Sequence, residues 1–277
     1  MACPFFAGFE ADRHSQCFRQ LLGKPHHIPI LRFFAAVFAW CQQTTDTAFS
    51  IQPIKKIEGS FVSFTADNLG NLFLITENNQ LKKFNANLDS AGIFNDVRRY
   101  GNVYWIDVNN PLKIAVYYRN FTTILVLDRF LNVRNTIDLR SSGILQARAV
   151  AQSYDNNYWV FDELESKIKK VDDNGKVLLE SADFRMIFTE SYVPQRIIDE
   201  NGMLFLYDEQ KGWLIFDYYG AYKQHIDYAG WKDVSVLKDN LSGRDNNVFY
   251  TVNRKTFNQF KITSGTDLSQ AIKIQRQ

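Results

Sequence analysis

The chain has 277 residues, 45% of them hydrophobic and 15% aromatic, and its 32 basic and 30 acidic residues leave a formal charge of +2. That length and apolar content suffice for one substantial core, and the near-balance of charge excludes the basic footprint of a nucleic-acid binder. All three cysteines (Cys3, Cys17, Cys41) lie near the N-terminus, which excludes a disulfide framework or cysteine metal site from the remainder.

Residues 1–50 read as a leader. Lys24, His26, His27 and Arg32 precede an apolar run from Phe33 to Cys41, followed by polar residues 42–47 and then Ala48-Phe49-Ser50. A positive flank, a short apolar run and small residues at −3 and −1 compose a secretory signal peptide with cleavage after Ser50. The run is too short to span a bilayer, so no transmembrane helix is expected in the mature chain. The stretch ahead of Lys24 exceeds what such a signal needs and leaves open a start downstream of Met1. Cys41 stands where a lipidated cysteine would, but Trp40 is far larger than the small residue expected there. A cytosolic chain with an amphipathic leader is the other reading.

From residue 51 the pattern changes to short strands rich in aromatic and branched residues, bounded by Asp, Asn and Gly. The stretch Asp199 to Asp217 is the clearest: a polar turn, a strand over Met203 to Tyr207, a charged turn closed by Gly212, and a strand over Trp213 to Phe216. A hairpin this short cannot bury both faces alone. The chain repeats it. The last apolar residue of each second hairpin strand falls at Phe84, Leu127, Val171, Phe216 and Phe260, at intervals of 43, 44, 45 and 44. The middle of each first strand falls at Phe73, Val116, Trp159, Phe205 and Phe249, and an acid opens the turn before it at Asp67, Asp107, Asp155, Asp199 and Asp239.

Each unit also supplies an inner strand (Val62 to Ala66, Val103 to Ile106, Arg148 to Ser153, Arg196 to Ile198, Val234 to Lys238). Outer strands are expected at Ala91 to Phe94, Val133 to Leu139, Val177 to Glu180, Ala221 to Ile226 and Ala271 to Ile274. The most helical segment, Asp183 to Ser191, reads as an excursion between the third and fourth units. A period in the forties built from four short strands predicts an all-β fold, a β-propeller of five four-stranded blades over 51–277, with six blades as the alternative. Ile51 to Ile57 is placed to return as the outer strand of blade five, where Pro53 is tolerable. Ala271 to Ile274 competes for that position.

The unit Thr65 to Ile75, followed by Leu81-Lys82-Lys83-Phe84-Asn85, resembles the repeat of NHL-type propellers. Tyr154 to Asp172 and Ile198 to Asp217 resemble it nearly as well. Units two and five depart: Asn109-Asn110-Pro111 replaces the Gly-Asn turn, and the Asp239 turn is lengthened through Leu241 to Asn247. The resemblance implies a fold that hosts ligand-binding scaffolds, protein-interaction platforms, lactonases and lyases, and it does not choose among them.

The recurring acids, with Asp128, Asp172 and Asp217, read as turn formers, because a catalytic acid is needed once and a turn acid in every blade. The loops Asp172-Asp173-Asn174-Gly175 and Asp199-Glu200-Asn201-Gly202 lack the spacing and distal Glu of a calcium loop. A glycosidase needs two carboxylates across a cleft, and a lactonase-like metal site needs inner-strand Glu, Asn and Asp; neither set assembles on these apolar inner strands. His225 is the one histidine beyond the leader, so no multi-His site is expected, and no cofactor or metal is implied. Cations near the inner strands (Arg98, Arg99, Arg148, Arg196, Lys232) read first as solvated loop charges or partners of neighbouring acids; if those strands line a central channel, they would gather at one mouth and attract an anionic group. Tyr218, Tyr219, Tyr222, Tyr228 and Trp231 form an aromatic run suited to a protein or glycan contact, or to burial between blades. The leading expectation is an exported, non-enzymatic binding or scaffold module of a bacterial cell envelope, whose partner is a protein or a cell-surface polymer. The rival is a hydrolase or lactonase-like enzyme with its site in the central channel.

Overall fold

The structure, a computed structural model, describes residues 47–49 and 56–265. The signal-peptide run, the Ser50 boundary, residues 51–55 of the expected closing strand, and Ala271 to Ile274 lie outside the described residues.

Strand β1 (Thr47–Phe49) comes first. Blade one follows as β2 (Phe61–Ala66), β3 (Leu72–Thr76), β4 (Leu81–Phe84) and β5 (Ser90–Phe94). After the single-turn helix α1 (Val97–Tyr100), blade two is β6 (Trp105–Asp107), β7 (Ile114–Tyr118), β8 (Thr123–Leu127) and β9 (Val133–Asp138). Blade three is β10 (Ala147–Gln152), β11 (Tyr158–Asp162), β12 (Lys167–Val171) and β13 (Val177–Glu180), and α2 (Phe184–Ile187) follows it. Blade four is β14 (Arg196–Glu200), β15 (Met203–Asp208), β16 (Gly212–Asp217) and β17 (Tyr222–Ile226). Blade five is β18 (Lys232–Leu237), β19 (Asn240–Asp245), β20 (Val248–Asn253) and β21 (Gln259–Ser264). Each blade is an antiparallel meander in chain order, and the five form a β-propeller.

Turn chemistry sets these hairpins. Asp67 accepts the N–H groups of Leu69 and Asn71 at 3.0 and 2.8 Å, and Asp128, Asp172 and Asp217 each bind the backbone two and four residues on in the same way. In blade four the inner turn is only Asn201-Gly202, both at positive φ, the pair that a two-residue hairpin requires. Strands β3, β7, β8 and β11 are buried at every residue. A propeller strand has a neighbouring blade on each side, so its run is continuously apolar rather than alternating.

Apolar clusters fill the seams between successive blades. One joins Phe73, Ile75 and Leu81 of blade one to Ile106, Val116 and Leu125 of blade two. Further clusters join blade two to three, three to four and four to five. A fifth cluster, around Phe64, Leu72 and Leu74, is drawn from blade one and its lead-in residue Ile57.

Blade five corrects the sequence reading. Leu241 to Asn247, expected as a lengthened turn, contains strand β19, and Phe249 and Phe260 lie on the third and fourth strands rather than the second and third. The physical reason is unequal connections. Inner strands begin at Phe61, Trp105, Ala147, Arg196 and Lys232, spacings of 44, 42, 49 and 36. The α2 excursion lengthens one step, and the short link from Ile226 to Lys232 contracts the next. The fifth sheet is completed by β1, which pairs in parallel with β21 through Thr47↔Ile262 and Phe49↔Ser264.

Candidate functional site at the upper channel mouth

The inner strands β2, β6, β10, β14 and β18 run in one sense around the axis. Their first residues gather at one end, here the upper face, and their last at the lower face. At the upper end three of the five depart from regular pairing. The β2 register shifts between Phe61 and Ser63, the β10 register between Ala147 and Ala149, and the β18 register between Lys232 and Ser235. Bulges of this kind re-aim the extra residue. They take Val62, Arg148, and Asp233 with Val234 out of the ladders.

Arg196, first residue of β14, lays its guanidinium 3.5 Å from the ring centre of Trp105. Trp105 belongs to blade two, which is not adjacent to blade four, so the contact crosses the mouth. Burial pushes the Arg196 guanidinium down to about 10, against the opposing charges of Tyr104 and Asp233. Arg119 stands 5.2 Å over the Tyr104 ring and 3.7 Å from Glu163. Asp233 is held at 2.6 Å by Arg244, which is almost fully buried. Arg148 makes no ion pair, and its Nε, shut off from water, finds no acceptor among the described residues. A buried donor left this way costs about 1–3 kcal/mol.

Of the residues singled out in the sequence, Arg196 and Lys232 begin inner strands at this mouth and Arg148 is the second residue of another, and Lys232 is exposed there. Arg99 lies apart on α1, exposed, over the ring of its own neighbour Tyr100 at 5.0 Å. Trp231 is 6% exposed and stacks on Tyr250 at 5.5 Å, and its backbone N–H donates to the Tyr207 hydroxyl. Tyr222 lies edge-on to Phe188 and Phe216 on the outer strand of blade four. Tyr218 and Tyr219 belong to the lower face, and Tyr219 is 83% exposed. Sequence reasoning missed Tyr104, Trp105, Arg119 and Asp233. Trp105 carried the one usable signal, a large aromatic on an inner strand.

The lower face holds a second polar cluster. The Lys170 ammonium lies 4.8, 5.5 and 5.7 Å from the ring centres of Trp159, Tyr218 and Tyr154, and 2.5 Å from Asp155. Asp199 accepts from the Trp159 Nε1–H at 3.0 Å and from the Tyr218 hydroxyl. Burial first, and then the bond to Asp199, push the Tyr218 phenol up. Nearby, burial raises Asp107; bonds from the Gln152 and Asn109 N–H groups oppose the shift, and the charge of Asp199 adds to it. All four oxygens of Asp107 and Asp199 are thus engaged within the protein. Among the described residues no three His, Cys, Asp or Glu side chains converge to hold a metal ion.

No family model matches this chain, and no curated protein matches it either. Solved structures do. A streptogramin B lyase is similar at 15% identity with a TM-score of 0.57, over 77% of this chain and 73% of that one. The extracellular domain of the hybrid two-component system BT3049 from B. thetaiotaomicron is similar at 13% identity and 0.56, over 78% of this chain and 31% of that one. BBS1N, crystallised with ARL6DN, is similar at 13% and 0.53, over 78% and 71%. A lyase, an extracellular domain of a two-component system and a domain crystallised in a complex thus share one architecture with this chain. The likeness establishes the β-propeller fold, while no family match supports NHL-type repeats in particular.

Proposed function

We propose that this chain is an exported, non-enzymatic binding or scaffold module of a bacterial cell envelope, which contacts a protein or surface polymer through its lower face. The observation that carries this reading is the set of turn tips there. Leu69, Leu112, Phe130, Tyr154, Leu237 and Phe257 are exposed at the ends of hairpins from four blades, and Tyr219 adds the remaining one. Turns are ordinarily polar, and a ring of large apolar tips is the mark of a contact surface; the upper end also exposes apolar side chains, at Phe121, Leu145, Leu164 and Met186, but not one from every blade. No helix among the described residues is long and apolar enough to cross a membrane. Export rests on the positive flank, apolar run and Ala48-Phe49-Ser50 pattern of the leader.

The rival reading, a hydrolase in the channel, has Asp107 and Asp199 as its best acid–base pair. Each of their four oxygens accepts one bond from a backbone, indole or phenol donor, which ties both carboxylates into the contacts that hold the blades.

The test is affinity capture from envelope extracts with the native chain and with a Tyr154→Ser/Tyr219→Ser/Leu237→Ser variant of equal thermal stability. One component retained by the native chain and lost with the variant supports the reading. Identical recovery by both overturns it.

A further inference from the structure

Out at the seam between the outer strands of blades two and three, away from the channel, lies an open cleft of about 290 Å3, near the lower end of the volumes that hold small ligands. One wall is Ser141 and Ser142, on the 3-10 turn Leu139–Ser142 that follows β9. The other is Asn174, Gly175, Lys176 and Val177, the turn that leads into β13. Bonds across the seam hold the walls. The Ser142 hydroxyl donates to the Gly175 carbonyl, and the Asn135 amide donates to the Asp173 carbonyl at 2.5 Å. Gly175 is required there, because its φ is +84° and a Cβ would stand 3.1 Å from the Ser142 Oγ.

The polar groups of the cleft divide by role. Ser141 and Ser142 each spend their proton on a carbonyl, that of Asp138 at 2.6 Å and that of Gly175, so their hydroxyl oxygens have only lone pairs to offer. The Lys176 ammonium offers only donors, is exposed, and makes no ion pair among the described residues. The acids beside it are committed elsewhere, Asp173 to Lys113 at 2.7 Å and Asp138 to Arg140 at 3.0 Å. A simple anion would answer the lysine and leave the serine oxygens unmet, and a neutral sugar would do the reverse. We propose that this cleft binds a sugar acid, its carboxylate on Lys176 and its hydroxyls donating to Ser141 and Ser142. The Asn174 side chain takes a further hydroxyl, and Val177 meets the C–H face of the ring. A free sugar acid and one residue of an acidic polysaccharide present the same groups.

The full chain is titrated with sodium galacturonate, galactose, inorganic phosphate and trigalacturonate at constant ionic strength, followed by saturation-transfer NMR and calorimetry. Galacturonate is expected to saturate, with galactose and phosphate each weaker by about fivefold, the upper range of what one open ion pair supplies. Lys176→Met is expected to bring galacturonate down to the affinity of galactose, while Lys223→Met, at an exposed lysine of blade four, leaves it unchanged. Both lysines are exposed, so neither change threatens folding. Trigalacturonate binding tighter than the monomer supports the proposal with a polymer as the source, and equal binding supports it with a free sugar acid. Absence of saturation by both acids, galactose or phosphate binding as tightly as galacturonate, or full affinity in Lys176→Met overturns it. None of these results depends on capture at the hairpin tips of the lower face.

Discussion

Lys170 brings its ammonium into a box of three rings and one carboxylate, and Asp199 closes the box from behind through Trp159 and Tyr218. Both acids were read from the sequence as turn formers. Asp155 keeps a weak turn bond to Asn157 and adds the bond to Lys170. Asp199 departs fully, because the blade-four turn is only Asn201-Gly202 and the carboxylate falls within β14, where it meets blade three. Removing the hydroxyl in Tyr218→Phe leaves one Asp199 oxygen without its donor, and the expected loss is about 1–3 kcal/mol in urea unfolding. Tyr222→Phe, whose hydroxyl has no such role in the cluster, is the matched control. The same blade buries a second ion pair: Lys169 lies 2.9 Å from Asp162 and 2.8 Å from Glu165, with Lys169 and Asp162 both sealed from water. Lys169→Met strands Asp162 and is expected to cost about 3–5 kcal/mol, read from the same denaturant titration. The turn acids Asp67, Asp128, Asp172 and Asp217 were legible because their role is local. Lys169 was not, because a lysine on a strand buried from both sides looks in sequence like a lysine on an exposed one.

At the scale of elements, the hairpins of blades one to four were legible from the period, and blade five was misregistered by one strand. Even spacing of landmarks cannot distinguish a regular blade from a contracted one whose next hairpin arrives early. The closing strand was expected from residues after Ser50, yet Thr47–Phe49 completes the sheet on β21. If the chain were cleaved after Ser50, β1 would be lost and blade five would keep four strands; with residues 47–49 retained it has five. A chain beginning at residue 51 is expected to be less stable than one beginning at residue 46 by about 1–3 kcal/mol, since a short ladder is lost and the β21 edge is bared. Calorimetric melts of the two chains check this. Equal melting temperatures would mean that β1 contributes nothing to closure.

For the whole molecule, charge pairing at the turns makes stability a function of pH. The Lys169 bond and charge hold Glu165 below the usual carboxylate range, the Arg140 bond does so for Asp138, and Lys211 does so for Glu190. Burial works against Asp217, but the Lys223 bond and turn N–H groups hold it low as well. Each of these groups binds its proton less tightly in the folded chain. Their contribution is therefore complete above the unfolded values near pH 4 and is lost as pH falls through the folded ones. Asp107, raised chiefly by burial, acts in the opposite sense: its ionisation on folding is costly, and acid relieves that cost. One such group is outweighed by several of the other kind. Lys169 is raised by Glu165 and Asp162 in spite of burial, so its contribution is full below about pH 10 and is lost only as pH rises past its folded value. The melting temperature is thus expected to be flat from about pH 6 to 9 and to fall steadily below about pH 4. In 1 M salt the acid limb is expected to flatten, because most of these pairs are exposed and screened within about 3 Å. The loss caused by Lys169→Met should persist in the same salt, because water and ions do not reach that pair. A melting temperature unchanged from pH 6 down to pH 2.5 would show that the turn carboxylates carry no net share of the fold's stability.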